Sequence, residues 1–158
     1  MLNVGIGEYI ISDDPSEVIV THALGSCVAL IVHCTHTKHT AMAHIVLPEN
    51  SSIKNQALYK MKPGYFASDI VPIMVNYFLN ELGCKKSHLD LFLVGGAVSR
   101  LSTDQFLVGQ KNKAMVLHLV RSYGLKIDDS ETGERFSRTV TVKVSNGHIH
   151  VKRQNMIL

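Results

Sequence analysis

At 158 residues, 46% hydrophobic and 18% charged, the chain has the size and composition of one globular domain that needs no disulfide or metal staple. Its net charge of +3 is spread over separate small clusters (Lys60 and Lys62, Lys85 and Lys86, Lys111 and Lys113, Lys152 and Arg153). With no Trp, five Tyr and five Phe, it lacks the dense basic stripe interleaved with aromatics that a nucleic-acid partner requires.

The N-terminus has no basic segment followed by an apolar core, so no signal peptide is expected there, and no apolar run is long enough for membrane insertion. Residues 4–12 and 17–21 read as short strands separated by the turn cluster Asp13-Asp14-Pro15-Ser16. Residues 28–33 form a continuous β-branched run suited to a strand buried on both faces. After a polar turn, residues 41–47 return as its hairpin partner and stop at Pro48.

Residues 49–64 read as a polar surface loop. A helix follows, because Ile70, Ile73, Met74, Tyr77 and Phe78 share one face; Asp69 is its expected cap, Pro72 falls in its first turn, and Gly83 ends it. Residues 89–94 are a strand running into Gly95-Gly96-Ala97, and residues 114–123 form a second amphipathic helix closed by Gly124. Residues 139–144 and 148–152 alternate as strands around Asn146-Gly147, a two-residue hairpin signal. The fold class expected is mixed α/β, in the α+β sense: one domain over residues 1–158, with mixed β-sheets flanked by two main helices.

The chemistry centres on Thr21-His22-Ala23-Leu24-Gly25-Ser26-Cys27-Val28. There a strand ends, Gly25 and Ser26 permit a tight turn, and Cys27 opens the next element. Such a turn aims backbone N–H groups at a point beside the sulfur, where an oxyanion would develop and where a thiolate is favoured. A free cysteine is also a small buried hydrophobe, so Cys27 alone decides little. The expected hairpin supplies a second member: His44 follows Cys27 by 17 residues and lies on the returning strand, within reach of the thiol. A cysteine–histidine pair activates the thiol and later protonates the leaving group. Such a pair needs no metal or organic cofactor.

Other signals are weaker. His33, Cys34, His36 and His39 match no zinc spacing and read as a solvated turn. His148, His150 and Lys152 share an exposed strand face, and His88 and His118 read as surface positions. Gly95-Gly96 and Gly109-Gln110-Lys111-Asn112 lack phosphate-loop spacing and read as tight connections. The odd count of three cysteines, with no CxxC pair, suits a reducing cytoplasm.

Taken in order, THALGSCV at residues 21–28, AMAHIVLP at residues 41–48 and LFLVGGA at residues 91–97 resemble the chemoreceptor glutamine deamidase family, CheD, over nearly the whole chain. The resemblance implies a fold related to the catalytic domain of cytotoxic necrotizing factor. It also implies hydrolysis of selected glutamine side chains in methyl-accepting chemotaxis receptors to glutamate. The implied nucleophile is Cys27, the base His44 and the third member Thr21, which holds the imidazole, while Ser26 and Gly25 shape the oxyanion site. Implied partners are receptor cytoplasmic helices and the phosphatase CheC, with the protein acting in the cytoplasm. The chain departs from the family pattern at Gln110-Lys111-Asn112, where an arginine–asparagine pair is common, and at Thr132-Gly133-Glu134-Arg135. Composition does not separate a deamidase from a peptidase, transglutaminase or methylesterase. The alternative from another class is a non-catalytic chemotaxis module that binds receptors or CheC.

Overall fold

The computed structural model describes residues 1–50, 56–98 and 107–156. The apolar run expected to be buried on both faces is so: every residue of β4 (Val28–Cys34) and of its hairpin partner β5 (Thr40–Ile45) is buried. These two strands sit inside a five-stranded sheet with β2 (Tyr9–Ser12), β6 (Leu89–Gly95) and β7 (Asp128–Thr132), in the order β2-β5-β4-β6-β7. A second sheet holds β1 (Leu2–Asn3), β3 (Val18–Leu24), β8 (Phe136–Lys143) and β9 (Ile149–Asn155), in the order β1-β3-β8-β9.

Side chains alternate across each strand, so the β4–β5 pair serves two cores. Ala29, Ile31 and Met42 meet Ile19, Leu24, Val140 and Val142 of the second sheet. Val28, Leu30, Val32, Ala43 and Ile45 face the helices, where Ile70, Met74 and Phe78 pack with Val116 and Val120. The layers are therefore sheet, sheet and helices.

Helix α1 (Gln56–Met61) lies where an irregular loop is expected; it is too short to show an apolar period. Helix α2 (Ala67–Asn76) continues as a π-turn, Tyr77–Glu81, and Gly83 follows at φ +66°. Its apolar face is the expected one, but its start is not. Phe66 is the N-cap, Asp69 lies inside the first turn and accepts a 3.0 Å bond from Asn50 Nδ2, and Pro72 sits a turn further in. Helix α3 (Val108–Ser122) begins six residues before its expected start and ends, as expected, at Gly124, φ +74°.

Three further differences have clear causes. Of the stretch expected as one strand at residues 4–12, only β2 is strand: the chain turns where Gly7 takes φ +75°, and β1, at residues 2–3, pairs in the other sheet. Strand β7, Asp-Asp-Ser-Glu-Thr, carries no apolar alternation, because it is an edge strand held by parallel pairing with β6. The connection after β8 spans residues 144–148 rather than two residues. Val144 is buried and bonds Glu17, and Gly147 alone takes the left-handed conformation.

The Gly95-Gly96 step is a close approach of backbones. Gly95 has φ +106°, and a Cβ there would lie 2.5 Å from the Cys27 carbonyl oxygen. Gly133 has φ +77° but faces open space. Gly133→Ala is therefore expected to cost only backbone strain, about 1–3 kcal/mol. Gly95→Ala adds displacement of the Cys27 carbonyl and should lower the urea midpoint further.

Candidate active site

Thr21 points inward from β3 and is fully buried, whereas His22 and Ala23 face solvent. The β3–β8 pairing slips between Thr21 and Leu24, where Ala23 takes φ +53°, a strained value for a residue with a side chain. The chain then turns through Gly25, Ser26 and Cys27 into β4. All three carbonyls of this turn are tied down: Ala97 N–H bonds Gly25 at 2.8 Å, Gly96 N–H bonds Cys27 at 2.9 Å, and Asn112 Nδ2 bonds Ser26 at 3.0 Å. The Ser26 side chain is exposed and Cys27 is half-buried.

His44 reaches the site from β5. Its cross-strand partner is Ala29, which places the imidazole on the face toward the second sheet. Cys27 is two residues before Ala29 and packs against the same core, so Cys27 and His44 are diagonal neighbours across the hairpin. Both residues therefore lie on the sheet face toward the second sheet.

The third member is held by distance. His44 Nδ1 lies 2.7 Å from Thr21 Oγ1, which lies 2.8 Å from the Val4 carbonyl. A carbonyl only accepts, and a hydroxyl carries one hydrogen, so Thr21 donates to Val4 and accepts from His44 Nδ1–H. This assigns the neutral tautomer: Nε2 carries the lone pair. Backbone bonds hold the His44 main chain, His44 N–H to the Glu8 carbonyl and Gly7 N–H to the His44 carbonyl, each 3.0 Å.

The electrostatics differ from the sequence expectation. Burial pushes the Cys27 thiol above its ordinary value instead of below it, and burial pulls the His44 imidazole below its own. His44 is 3% exposed and keeps little water to solvate a charge. Both shifts favour the uncharged form of each group.

The other thiols are also placed differently. Cys34 ends β4 and is fully buried rather than opening an accessible turn. It hydrogen-bonds with Cys84, whose thiol is pushed up to about 11, chiefly by burial. His33 is buried against Thr40 Oγ1 at 2.7 Å, while His36 is exposed and stacks on His88, so the histidine cluster is not one solvated turn. His118, His148 and His150 are exposed, as expected, and His88 is half-buried.

Sequence reasoning missed two residues here. Asn112 is fully buried; besides Ser26 it bonds the Val46 carbonyl at 2.9 Å. Its signal is its place four and eight residues before Val116 and Val120 on the buried stripe of α3, which a helix start at residue 114 hides. Arg138, 1% exposed, stands opposite Leu24 in the β3–β8 pair. It bonds the Gly133 carbonyl at 2.9 Å and Glu131 at 3.3 Å, bracing the turn behind Gly95. A cavity of about 290 Å³ lined by Phe92, Val94, Asp128, Glu131 and His150 includes none of Thr21, Cys27 or His44.

The family model described as CheD chemotactic sensory transduction matches residues 46–153, more than half of the chain. The chain belongs to the CheD family. It is 34% identical over 152 residues to the "Probable chemoreceptor glutamine deamidase CheD" of Syntrophotalea carbinolica, covering 95% of this chain and 92% of that protein. It is 32% identical over 150 residues to the "Chemoreceptor glutamine deamidase CheD" of Thermotoga maritima, covering 95% and 90%. Among solved structures, YlmD from Geobacillus stearothermophilus aligns with TM-score 0.46 and 12% identity over 82% of this chain, which spans about half (51%) of YlmD. The family-model match begins after His44, whereas the CheD relatives align over nearly the full length. At the two places where the chain departs from the resemblance, Asn112 next to Lys111 bonds the Ser26 carbonyl, and the Glu134 carbonyl accepts from Val98 N–H at 2.7 Å.

NMR titration is expected to place the His44 imidazole below the ordinary 6.5, with the neutral ring protonated on Nδ1. A lowered folded value means that the unfolded chain binds this proton more readily. The associated stability is present above about pH 6.5 and is lost as pH falls toward the folded value. In Thr21→Val, Nδ1–H loses its acceptor and the single-tautomer signature should disappear.

Proposed function

We propose that this chain hydrolyses glutamine side-chain amides on chemotaxis receptors to glutamate, acting from the cytoplasm, with Cys27 as nucleophile, His44 as base and acid, and Thr21 as its anchor. The observation that carries the reading is the Val4–Thr21–His44 hydrogen-bond chain, which leaves Nε2 as the open base on the sheet face shared with Cys27. The CheD relatives, chemoreceptor glutamine deamidases by name, supply the substrate class.

The steps follow from the two neutral groups. His44 Nε2 takes the thiol proton as Sγ attacks the amide carbon Cδ, and the carbonyl oxygen becomes an oxyanion facing the Ser26 and Cys27 amides. The C–N bond breaks, the Nε2 proton passes to the leaving nitrogen, and ammonia departs from a thioester. Water then attacks the thioester carbon as His44 takes its proton. Collapse releases the glutamate carboxyl and returns the proton to sulfur. Water is consumed and ammonia formed, with no oxidant or reductant. The protonated imidazole is transient in a buried site, so Thr21 steadies it by accepting from Nδ1–H as charge appears.

Among the described residues, no helix is long and apolar enough to cross a membrane. The receptors' cytoplasmic helices are the partners of this reading, and CheC is its further partner, to be tested by co-purification.

A receptor cytoplasmic fragment incubated with the protein should gain about one mass unit per modified glutamine without chain cleavage. Cys27→Ala should abolish the gain, and His44→Ala should lower the rate by about two to four powers of ten while remaining folded. A cut chain, a crosslink or loss of a methyl ester instead would replace the deamidase reading with one of its rivals. Iodoacetamide should label Cys27 first, with activity falling in step, because Cys34 is buried and the Cys84 thiol is pushed up to about 11. Activity surviving complete Cys27 alkylation would remove it as nucleophile.

A further inference from the structure

We infer that Asn112 is a positioning residue for the proposed reaction, clamping the turn that carries Cys27 to the strand that carries His44. The inference rests on the Cys27–His44 reading and adds a residue that never touches substrate.

The β4–β5 ladder ends at Val28 opposite Ile45. The next rung would place Cys27 opposite Val46, and there the strands part company: β4 begins out of a turn, and Val46 N–H bonds the Tyr65 carbonyl instead. Asn112 spans this gap from the helix layer. One Nδ2 donates to both the Ser26 carbonyl, at 3.0 Å, and the Val46 carbonyl, at 2.9 Å. Ser26 immediately precedes the nucleophile, and Val46 is two residues past the base. The side chain thus does what a ladder hydrogen bond does elsewhere, at the point where the two reacting residues must hold their separation.

Its cost supports a role beyond packing. Asn112 is fully buried on a stripe continued by Val116 and Val120, and its Oδ1 is buried without a partner among the described residues. An orphaned buried acceptor is unfavourable, and stability alone would select an arrangement that satisfies it. Two bonds to opposite sides of the site are the gain that offsets it. The helix is also brought close enough for this reach by Gly109, where a Cβ would lie 2.3 Å from the Ala97 carbonyl oxygen. Ala97 N–H in turn bonds Gly25. Helix α3 therefore grips the nucleophile turn at Gly25 through Ala97 and at Ser26 through Asn112.

The test compares Asn112→Ala, Asn112→Ser and Val116→Ala, the last a core truncation one turn further along the same helix. Three readouts are taken: melting temperature, kcat and KM on a receptor fragment, and the pH profile of Cys27 alkylation. A misplacement of reacting groups by an ångström costs on the order of 10²-fold. Asn112→Ala should lower kcat by about that factor with KM little changed. Its alkylation profile should move toward that of an ordinary thiol as water reaches the loosened turn. Asn112→Ser, with one donor, should recover part of both. Val116→Ala should lose melting temperature while keeping the wild-type kcat and profile. If Asn112→Ala behaves like Val116→Ala, Asn112 only packs, and the inference is overturned. Failure of both Asn112 variants to fold overturns it too, since that makes the residue a requirement of folding. The alkylation profile needs no substrate. A shifted profile in an otherwise folded variant, with no deamidation by the parent protein, would therefore sink the proposed function while leaving the clamp standing.

Discussion

The bond between His44 Nδ1 and the Thr21 hydroxyl crosses from one sheet to the other, and the site depends on that crossing. Thr21 belongs to β3 and His44 to β5, so their 2.7 Å separation exists only if the two sheets pack at the right distance and register. The sandwich core of Ile19, Leu24, Ala29, Ile31, Met42, Val140 and Val142 sets that distance. Register sets the rest: slipping β5 by one residue against β4 would turn His44 toward the helices and bring Ala43 or Ile45 to the thiol. A small polar chain is thus embedded in an apolar layer, where Val4 satisfies the hydroxyl and the low-water setting favours neutral groups.

A second buried pair on the same face shows what separates structure from chemistry. His33 and Thr40 are cross-strand partners, and their side chains meet at 2.7 Å, the separation found between His44 and Thr21. The environment of His33 closes it in: a Cβ on Gly147 would lie 2.5 Å from its ring. At that end of the hairpin the neighbouring cysteine, Cys34, points into the helix-side core and pairs with Cys84. At the other end Cys27 shares the face of His44. Alternation along one strand decides which histidine has a thiol beside it.

The turn that carries Cys27 is held by donors from other elements rather than by its own sequence. Gly96, Ala97 and Asn112 supply the donors, and the bare backbones of Gly95, Gly96 and Gly109 let β6, the turn and α3 approach closely. Arg138 then ties the turn at Gly133 to the same region through backbone and Glu131 bonds. Thr21, Cys27 and His44 are few, but the elements that position them come from most of the chain.

Several features were legible in the amino-acid order because they are local. The apolar run at residues 28–33, the apolar stripe of α2 and the glycines at 83 and 124 each express a short-range rule, and each stands in the structure; the returning strand stands too but ends at Ile45, before Pro48. The pairing of Cys27 with His44 was legible for the same reason, since one hairpin joins them. Strand β7 was not, because its polar residues are ordered by the edge of β6 rather than by their own pattern. The first turns of α3 were hidden because Gly109 and Asn112 are poor helix formers whose positions make sense only against Ala97, Ser26 and Val46. The protonation states belong to the tertiary structure as well. From spacing alone Cys27 reads as an activated thiolate, but burial raises the thiol and lowers the imidazole, and burial is a property of the packed sheets. Sequence by itself determined which residues the hairpin brings together; only the tertiary structure decided how the imidazole is held and where its proton sits, because the Thr21 and Val4 groups that settle it lie on another sheet.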